Sequence, residues 1–207
     1  LVENGRISQI GNKLAPDRNI PILDAEGAIL TPGWIDIQLN GAFGNAFTEN
    51  TESIWNAAKR LPEHGVTSFL PTIITSPLHV YEESIRVIKA GPPEEFHGTN
   101  AIWLHLEGPF LNPKKRGAHN EKYLLRPSTE LVSQWSRSNG VFMVTLAPEL
   151  DIDFRTIHVL CEQGVIVSAG HSLATFEQAM LSFINGINCG THLFNAQPLI
   201  EHRNPGL

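Results

Sequence analysis

Residues 102–120, IWLHLEGPFLNPKKRGAHN, open on an apolar run with branched and aromatic side chains and break at Glu107-Gly108-Pro109. A strand of this kind stops where Gly and Pro interrupt it, so Glu107 stands at its C-terminal tip. Two later stretches repeat the design: VIVSAGHS (165–172) ends on His171 beside Gly170, and INCGTHLFNAQP (187–198) carries His192 just after Gly190. One carboxylate and two imidazoles are the ligand set of a catalytic zinc that keeps its fourth position open for water. Three strands that present reactive side chains at the same end constrain the fold as well as the chemistry.

Outward from these strands the hydrophobic rhythm alternates. Apolar runs at WIDIQLN (34–40), VTSFLP (66–71), AIWLHLE (101–107), VFMVTLA (141–147), VIVSAGH (165–171) and INCGTHL (187–193) read as strands. Between them, TESIWNAAKRLPEHG (51–65), PLHVYEESIRVIKAG (77–91), STELVSQWSRSNG (128–140), DFRTIHVLCEQG (153–164) and TFEQAMLSFINGI (175–187) read as amphipathic helices, most of them ended by Gly. This βα alternation predicts a parallel sheet. Reactive residues at the C-terminal ends of the first, third, fifth and sixth strands favour a (β/α)8 TIM-type barrel over an open doubly wound sheet, whose site sits at one switch point. No GxGxxG or Walker sequence supports the open sheet. Six strands are two short of closure, so the barrel is expected to be incomplete, either part of a longer chain or completed by strands that other residues supply. The start, with GRISQIG (5–11) and ILDAEGAILTPG (22–33), reads as short strands from a small β subdomain over residues 1–31. It opens in mid-strand, which points to residues upstream; residues 32–207 form the barrel domain.

Composition sets the outer limits. With 207 residues, 42% hydrophobic and 17% charged, the chain can build a sizeable core. A net charge of -6 and no Lys/Arg-rich run leave no footprint for nucleic acid or a membrane surface. No signal peptide or long apolar span is present in the sequence, so a cytoplasmic location is the expectation. Cys161 and Cys189 form no CxxC pair and read as buried reduced thiols.

PGWIDIQLNG (32–41), HLEGPFLNPKKRGAHN (105–120), SAGHS (168–172) and THLFNAQP with HRNPGL (191–207) together resemble the N-acetylglucosamine-6-phosphate deacetylases of the amidohydrolase superfamily. The resemblance implies a (β/α)8 barrel with a small β domain and hydrolysis of the acetamide of an amino-sugar phosphate. It implies Glu107, His171 and His192 as ligands of one divalent metal per subunit, zinc by preference. His119 matches the residue that hydrogen-bonds the amide carbonyl; Ala118, Asn195 and the backbone of Ala196 match substrate contacts. Arg203 matches an arginine that reaches the phosphate of a neighbouring subunit, which implies a homodimer.

Two departures stand out. The first strand ends Gln38-Leu39-Asn40 where many amidohydrolases carry H-x-H for a second metal, and neutral amides are poor transition-metal ligands. The family's general-base Asp, after the eighth strand, and its phosphate-binding histidine, after the seventh, have no counterpart in these residues, so the chain as it stands is expected to lack its base. Alternatives are another amidohydrolase acting on an N-acyl amino acid or cyclic amide, and a non-catalytic sugar-phosphate-binding fragment. His105 shares a strand face with Glu107 and reads as a supporting or packing residue. His64, His79, His97 and His158 read as surface residues, and His202 as exposed beside Arg203. Lys114, Lys115 and Arg116 read either as a phosphate patch or as a solvated loop folded over the site.

Overall fold

The computed structural model describes residues 1–12, 14, 19–203 and 205–207; Asn204 of the HRNPGL segment lies outside them. The chain divides into two units, Leu1–Pro32 and Gly33–Leu207. In the first, β1 (Val2–Glu3) and β2 (Arg6–Ile7) pair antiparallel. The strand expected over residues 22–30 does not form. Asp24 Oδ1 instead accepts the Glu26 N–H at 2.8 Å, and Glu26 and Gly27 turn the chain with φ of 49° and 79°. Ile22, Leu23, Ile29 and Leu30 are left exposed. Alternation alone makes no strand without a partner to accept its ladder.

The second unit is built on β3 (Trp34–Leu39), β4 (Gly41–Ala42), β5 (Asn45–Ala46), α1 (Ile54–Arg60), β6 (Val66–Ile74), α2 (Leu78–Ala90), β7 (Asn100–Ala101), β8 (Leu104–Glu107), α3 (Thr129–Val132), β9 (Val141–Leu146), α4 (Arg155–Glu162), β10 (Ile166–Ala169), α5 (Phe176–Ile184) and β11 (Cys189–Gly190). Six strands lie in the order β11-β10-β9-β8-β6-β3, all parallel, and β7 pairs with β6. These are the six apolar runs expected, in chain order. β4 and β5 form a tight hairpin whose turn residues, Phe43 and Gly44, both have positive φ, the geometry that matches strand twist.

Register decides which residues face together. Ile73, Leu106, Val144 and Val167 align across β6, β8, β9 and β10 and join Ile54, Tyr81, Ile88, Ile157 and Leu160 of the helices in one core. Each such fully buried aliphatic side chain is worth about 1.5–3 kcal/mol. One residue along, Glu107, Thr145 and Ser168 align on the opposite face, so the polar residues are sorted to the side away from the helices. The central strands are buried on both faces, as a parallel sheet requires.

Helix ends follow the expected signals. α5 begins with a capping box in which Thr175 and Gln178 satisfy each other's backbone N–H groups. The helix expected over 128–140 shrinks to one turn. Ser133 Oγ donates to Glu130 O at 2.7 Å, Ser136 Oγ accepts the Asn139 N–H at 3.1 Å, and Asn139 Nδ2 donates to Gln134 O at 2.8 Å. Short polar side chains there bond local backbone in place of the helical ladder. Cys161 and Cys189 are free as expected but only half-buried. No described helix is long and apolar enough to cross a membrane.

Candidate metal centre

The tips of β8, β10 and β11 bring Glu107, His171 and His192 together, with one ligand atom from each lying within 4.8 Å of the others. Glu107 is almost fully buried, and Gln38 Nε2 donates to its Oε1 at 2.8 Å while Asn40 Nδ2 reaches Oε2 at 3.4 Å. The Q-x-N at the end of β3 therefore orients the carboxylate. His171 Nε2 lies 3.1 Å and His192 Nε2 2.9 Å from the same oxygen, Oε1.

The protons can be placed. His171 Nδ1 faces the Lys115 carbonyl at 2.8 Å, and a carbonyl only accepts, so this nitrogen carries the hydrogen. A neutral His171 then turns the Nε2 lone pair at a carboxylate oxygen. Two lone pairs at 3.1 Å repel unless a proton or a cation stands between them. A second imidazole converges on the same oxygen, so the donor set fits a divalent ion, with the Lys115 carbonyl fixing the tautomer from behind. His171 and His192 have φ of 50° and 55°, a left-handed setting that costs about 1–3 kcal/mol per residue. Main-chain bonds hold it: Asn112 N–H to His171 O at 2.9 Å, Asn195 N–H to His192 O at 2.6 Å, and Ser172 N–H to Ala196 O at 3.1 Å.

His119 stands beside the triad with Nε2 3.6 Å from Glu107 Oε2. Its Nδ1 accepts the Thr75 N–H at 3.2 Å, which puts the ring hydrogen on Nε2 and aims a donor into the site. Sequence reasoning passes over Thr75, since nothing near it reads as a motif. His105 turns out to be saturated. Nδ1–H donates to Ile37 O at 3.0 Å, so Nε2 accepts from Thr145 Oγ1 at 2.7 Å; Thr145 in turn accepts from Thr191 at 2.8 Å, and Thr191 from Ser168 at 2.7 Å. The anchoring carbonyl sets every proton in this buried chain.

A cavity of about 690 Å³ opens over these groups, lined among others by Lys114, Lys115, Ala118, His119, Asn195 and Ala196. Lys115 Nζ donates to Gln197 O at 2.7 Å. The Arg116 guanidinium is engaged by the His119 carbonyl at 3.2 Å and by Glu121 at 3.4 Å, so it is a loop brace. Arg203 is not brought to this cavity; it is exposed and lines another with Leu173–Glu177 and Pro198. His64, His79, His97, His158 and His202 are exposed, as expected.

Burial and charge pull the site's titrations apart. Burial would raise the Glu107 carboxyl, but the His171 hydrogen bond and the surrounding imidazoles hold it down at about 2. Burial pushes His105 and His119 down to about 4, so both are neutral. For His171 burial acts downward, yet the Glu107 and Lys115 contacts prevail and raise it. The depressed groups contribute stability above their unfolded values of 4.5 and 6.5 and lose it as pH falls through the folded ones. His171 acts oppositely, contributing fully below 6.5 and less as pH rises through its folded value. The metal-free chain is thus expected to lose melting temperature from pH 6.5 down to pH 4. A flat profile in chelator-treated protein over that window would contradict neutral burial of His105 and His119.

No family model matches the chain. The N-acetylglucosamine-6-phosphate deacetylase of Mus musculus is 43% identical over 194 residues, covering 89% of this chain and 47% of that protein. The crystal structure of the same enzyme from Pasteurella multocida matches with a TM-score of 0.80 at 33% identity, over 92% of this chain and 50% of that one. The chain is a relative of the N-acetylglucosamine-6-phosphate deacetylases. It spans about half the length of the relatives it matches. A deacetylase variant from Mycobacterium smegmatis, solved in complex with N-acetyl-D-glucosamine-6-phosphate, matches with a TM-score of 0.74 at 31% identity, over 84% of this chain and 46% of that one.

Proposed function

We propose that these residues are the metal-binding part of an enzyme that hydrolyses the acetamide of N-acetyl-D-glucosamine 6-phosphate to D-glucosamine 6-phosphate and acetate. The observation that carries this reading is the convergence of Glu107, His171 and His192 under one cavity. Zinc is the ion this donor set suits best, and one ion is expected, because Gln38 and Asn40 serve Glu107. A divalent ion held by these three side chains supplies Lewis acidity, polarising an amide carbonyl and lowering the pKa of water to about 7.

The chain's own residues do the rest of what is assigned to it. His119 Nε2–H donates to the amide oxygen as negative charge builds there, and its neutrality keeps the donor fixed in place. Ala118, Asn195 and the Ala196 backbone contact the amino-sugar phosphate from the cavity wall. Arg203, which lies away from this cavity, would reach the phosphate in a neighbouring subunit of a homodimer, where its planar fork suits bidentate binding. Phosphate binding far from the amide then orients the acetamide for reaction. The general base belongs to residues outside this chain segment, on a completed (β/α)8 barrel joined to a small β domain. The reading places the enzyme in the cytoplasm, in amino-sugar catabolism.

The test is acetate release. Full-length protein supplied with zinc or another divalent ion is expected to liberate acetate from N-acetylglucosamine 6-phosphate and far less from the unphosphorylated sugar. Equal rates on both would favour a different amidohydrolase, and no release with any ion would reject the proposal.

A further inference from the structure

Glu149 has no place in the chemistry just described, yet it is a hub of hydrogen bonds beside the site. It follows β9 in the turn Pro148–Leu150 and is partly buried. Oε1 accepts from the Leu173 N–H at 2.6 Å and from Asn112 Nδ2 at 2.9 Å, and Oε2 accepts from Ser172 Oγ at 2.6 Å. Ser172 Oγ then accepts the Ala174 N–H at 2.8 Å, and Asn112 Oδ1 the Lys114 N–H at 3.0 Å.

These donors come from two places that matter to His171. Ser172 and Leu173 continue its own turn, which must hold a φ of 50°. Asn112 opens the loop that carries Lys115 and His119, and its N–H also donates to the His171 carbonyl at 2.9 Å. The Lys115 carbonyl in turn fixes the imidazole at 2.8 Å. One carboxylate therefore ties both the backbone of His171 and the group that orients its ring. A charged acceptor taking three donors is a strong and directional tie. Its removal leaves the Leu173 N–H, the Asn112 amide NH2 and the Ser172 hydroxyl without their acceptor.

We infer that Glu149 is a positioning residue of the metal centre, setting the direction of the His171 Nε2 lone pair through Ser172, Leu173 and Asn112. The inference rests on the reading of Glu107, His171 and His192 as metal ligands. It is tested on the full-length protein by zinc affinity in competition with a chelator, the visible spectrum of the cobalt(II)-loaded form, and the melting temperature of the metal-free form. Glu149→Ala is expected to weaken zinc binding by about 10–100-fold, the usual range for losing a partner behind a ligand, and to alter the cobalt spectrum. Glu149→Gln, which keeps one acceptor oxygen in place, should recover most of the affinity. If Glu149→Ala merely lowers the metal-free melting temperature while zinc affinity and cobalt spectrum stay at wild-type values, the positioning role is overturned. Should Glu149→Ala fail to fold, Ser172→Ala decides: weaker zinc binding supports the inference and unchanged binding overturns it. A wild-type protein that binds no divalent ion removes the metal-centre reading itself, a failure distinct from that of Glu149 alone.

Discussion

Replacing Glu107 by glutamine is expected to leave the chain folded and unable to hold a divalent ion. The two side chains have the same shape, so the core is undisturbed, but the change removes the only charge in the triad and swaps an oxygen for an NH2 group. Turned toward Asn40 Nδ2 and the His119 Nε2–H, the new NH2 group meets other donors; turned the other way, it opposes Gln38 Nε2 and caps the His171 Nε2 lone pair that an ion would need. Amide oxygens are weak ligands for zinc. The loss of affinity should exceed the roughly 10–100-fold that follows removal of an outer partner. Metal content by elemental analysis after dialysis against zinc, with circular dichroism as the control for folding, reads the result. One equivalent of zinc retained at wild-type affinity would take Glu107 out of the ligand set.

On the proposed reaction, His119→Gln in the full-length protein is expected to reduce kcat on N-acetylglucosamine 6-phosphate by about 10²–10³, the usual effect of losing one oxyanion donor. The geometry separates this residue from the ligands. Its Nδ1 is occupied by the Thr75 N–H and its Nε2 carries the hydrogen, so it has no lone pair to offer an ion. Zinc affinity should therefore stay near wild type, and kcat and kcat/KM should fall together, as for an interaction made only in the transition state. Loss of zinc along with activity would make His119 a fourth ligand; an unchanged kcat would leave it a packing residue.

What could be read from the residues in order, and what could not, follows from the reach of each interaction. The six strands were legible because an apolar run bounded by Gly or Pro is a local pattern. The candidate ligands were legible because each stands at such a boundary, within two residues of a glycine. The supports were not. Gln38 looked merely like a position where a second metal's ligand was missing, and its bond to a carboxylate 69 residues away exists only once β3 and β8 are held in one sheet. Thr75 and Glu149 act through a backbone N–H and a carboxylate with no motif around them, so only coordinates reveal them. Local patterns also erred in the other direction. At 22–30 and 128–140, alternation and amphipathicity outran what turn-forming Asp24, Ser136 and Asn139 allow. Arg203 was read from its family position, and its place away from the cavity reflects a loop path that no periodicity encodes.

The hydrogen-bond chain from Ser168 to the Ile37 carbonyl has one more meaning. His105 stands only two places from Glu107 on the same strand, close enough to tempt an ion one level deeper. Both of its nitrogens are already committed, one to a carbonyl and one to a hydroxyl that cannot reverse without upsetting two others. On this face of the sheet the two threonines and the serine thus form a floor beneath the strand-tip cluster, and among the described residues the candidate ligand atoms stand at the level of Glu107, His171 and His192.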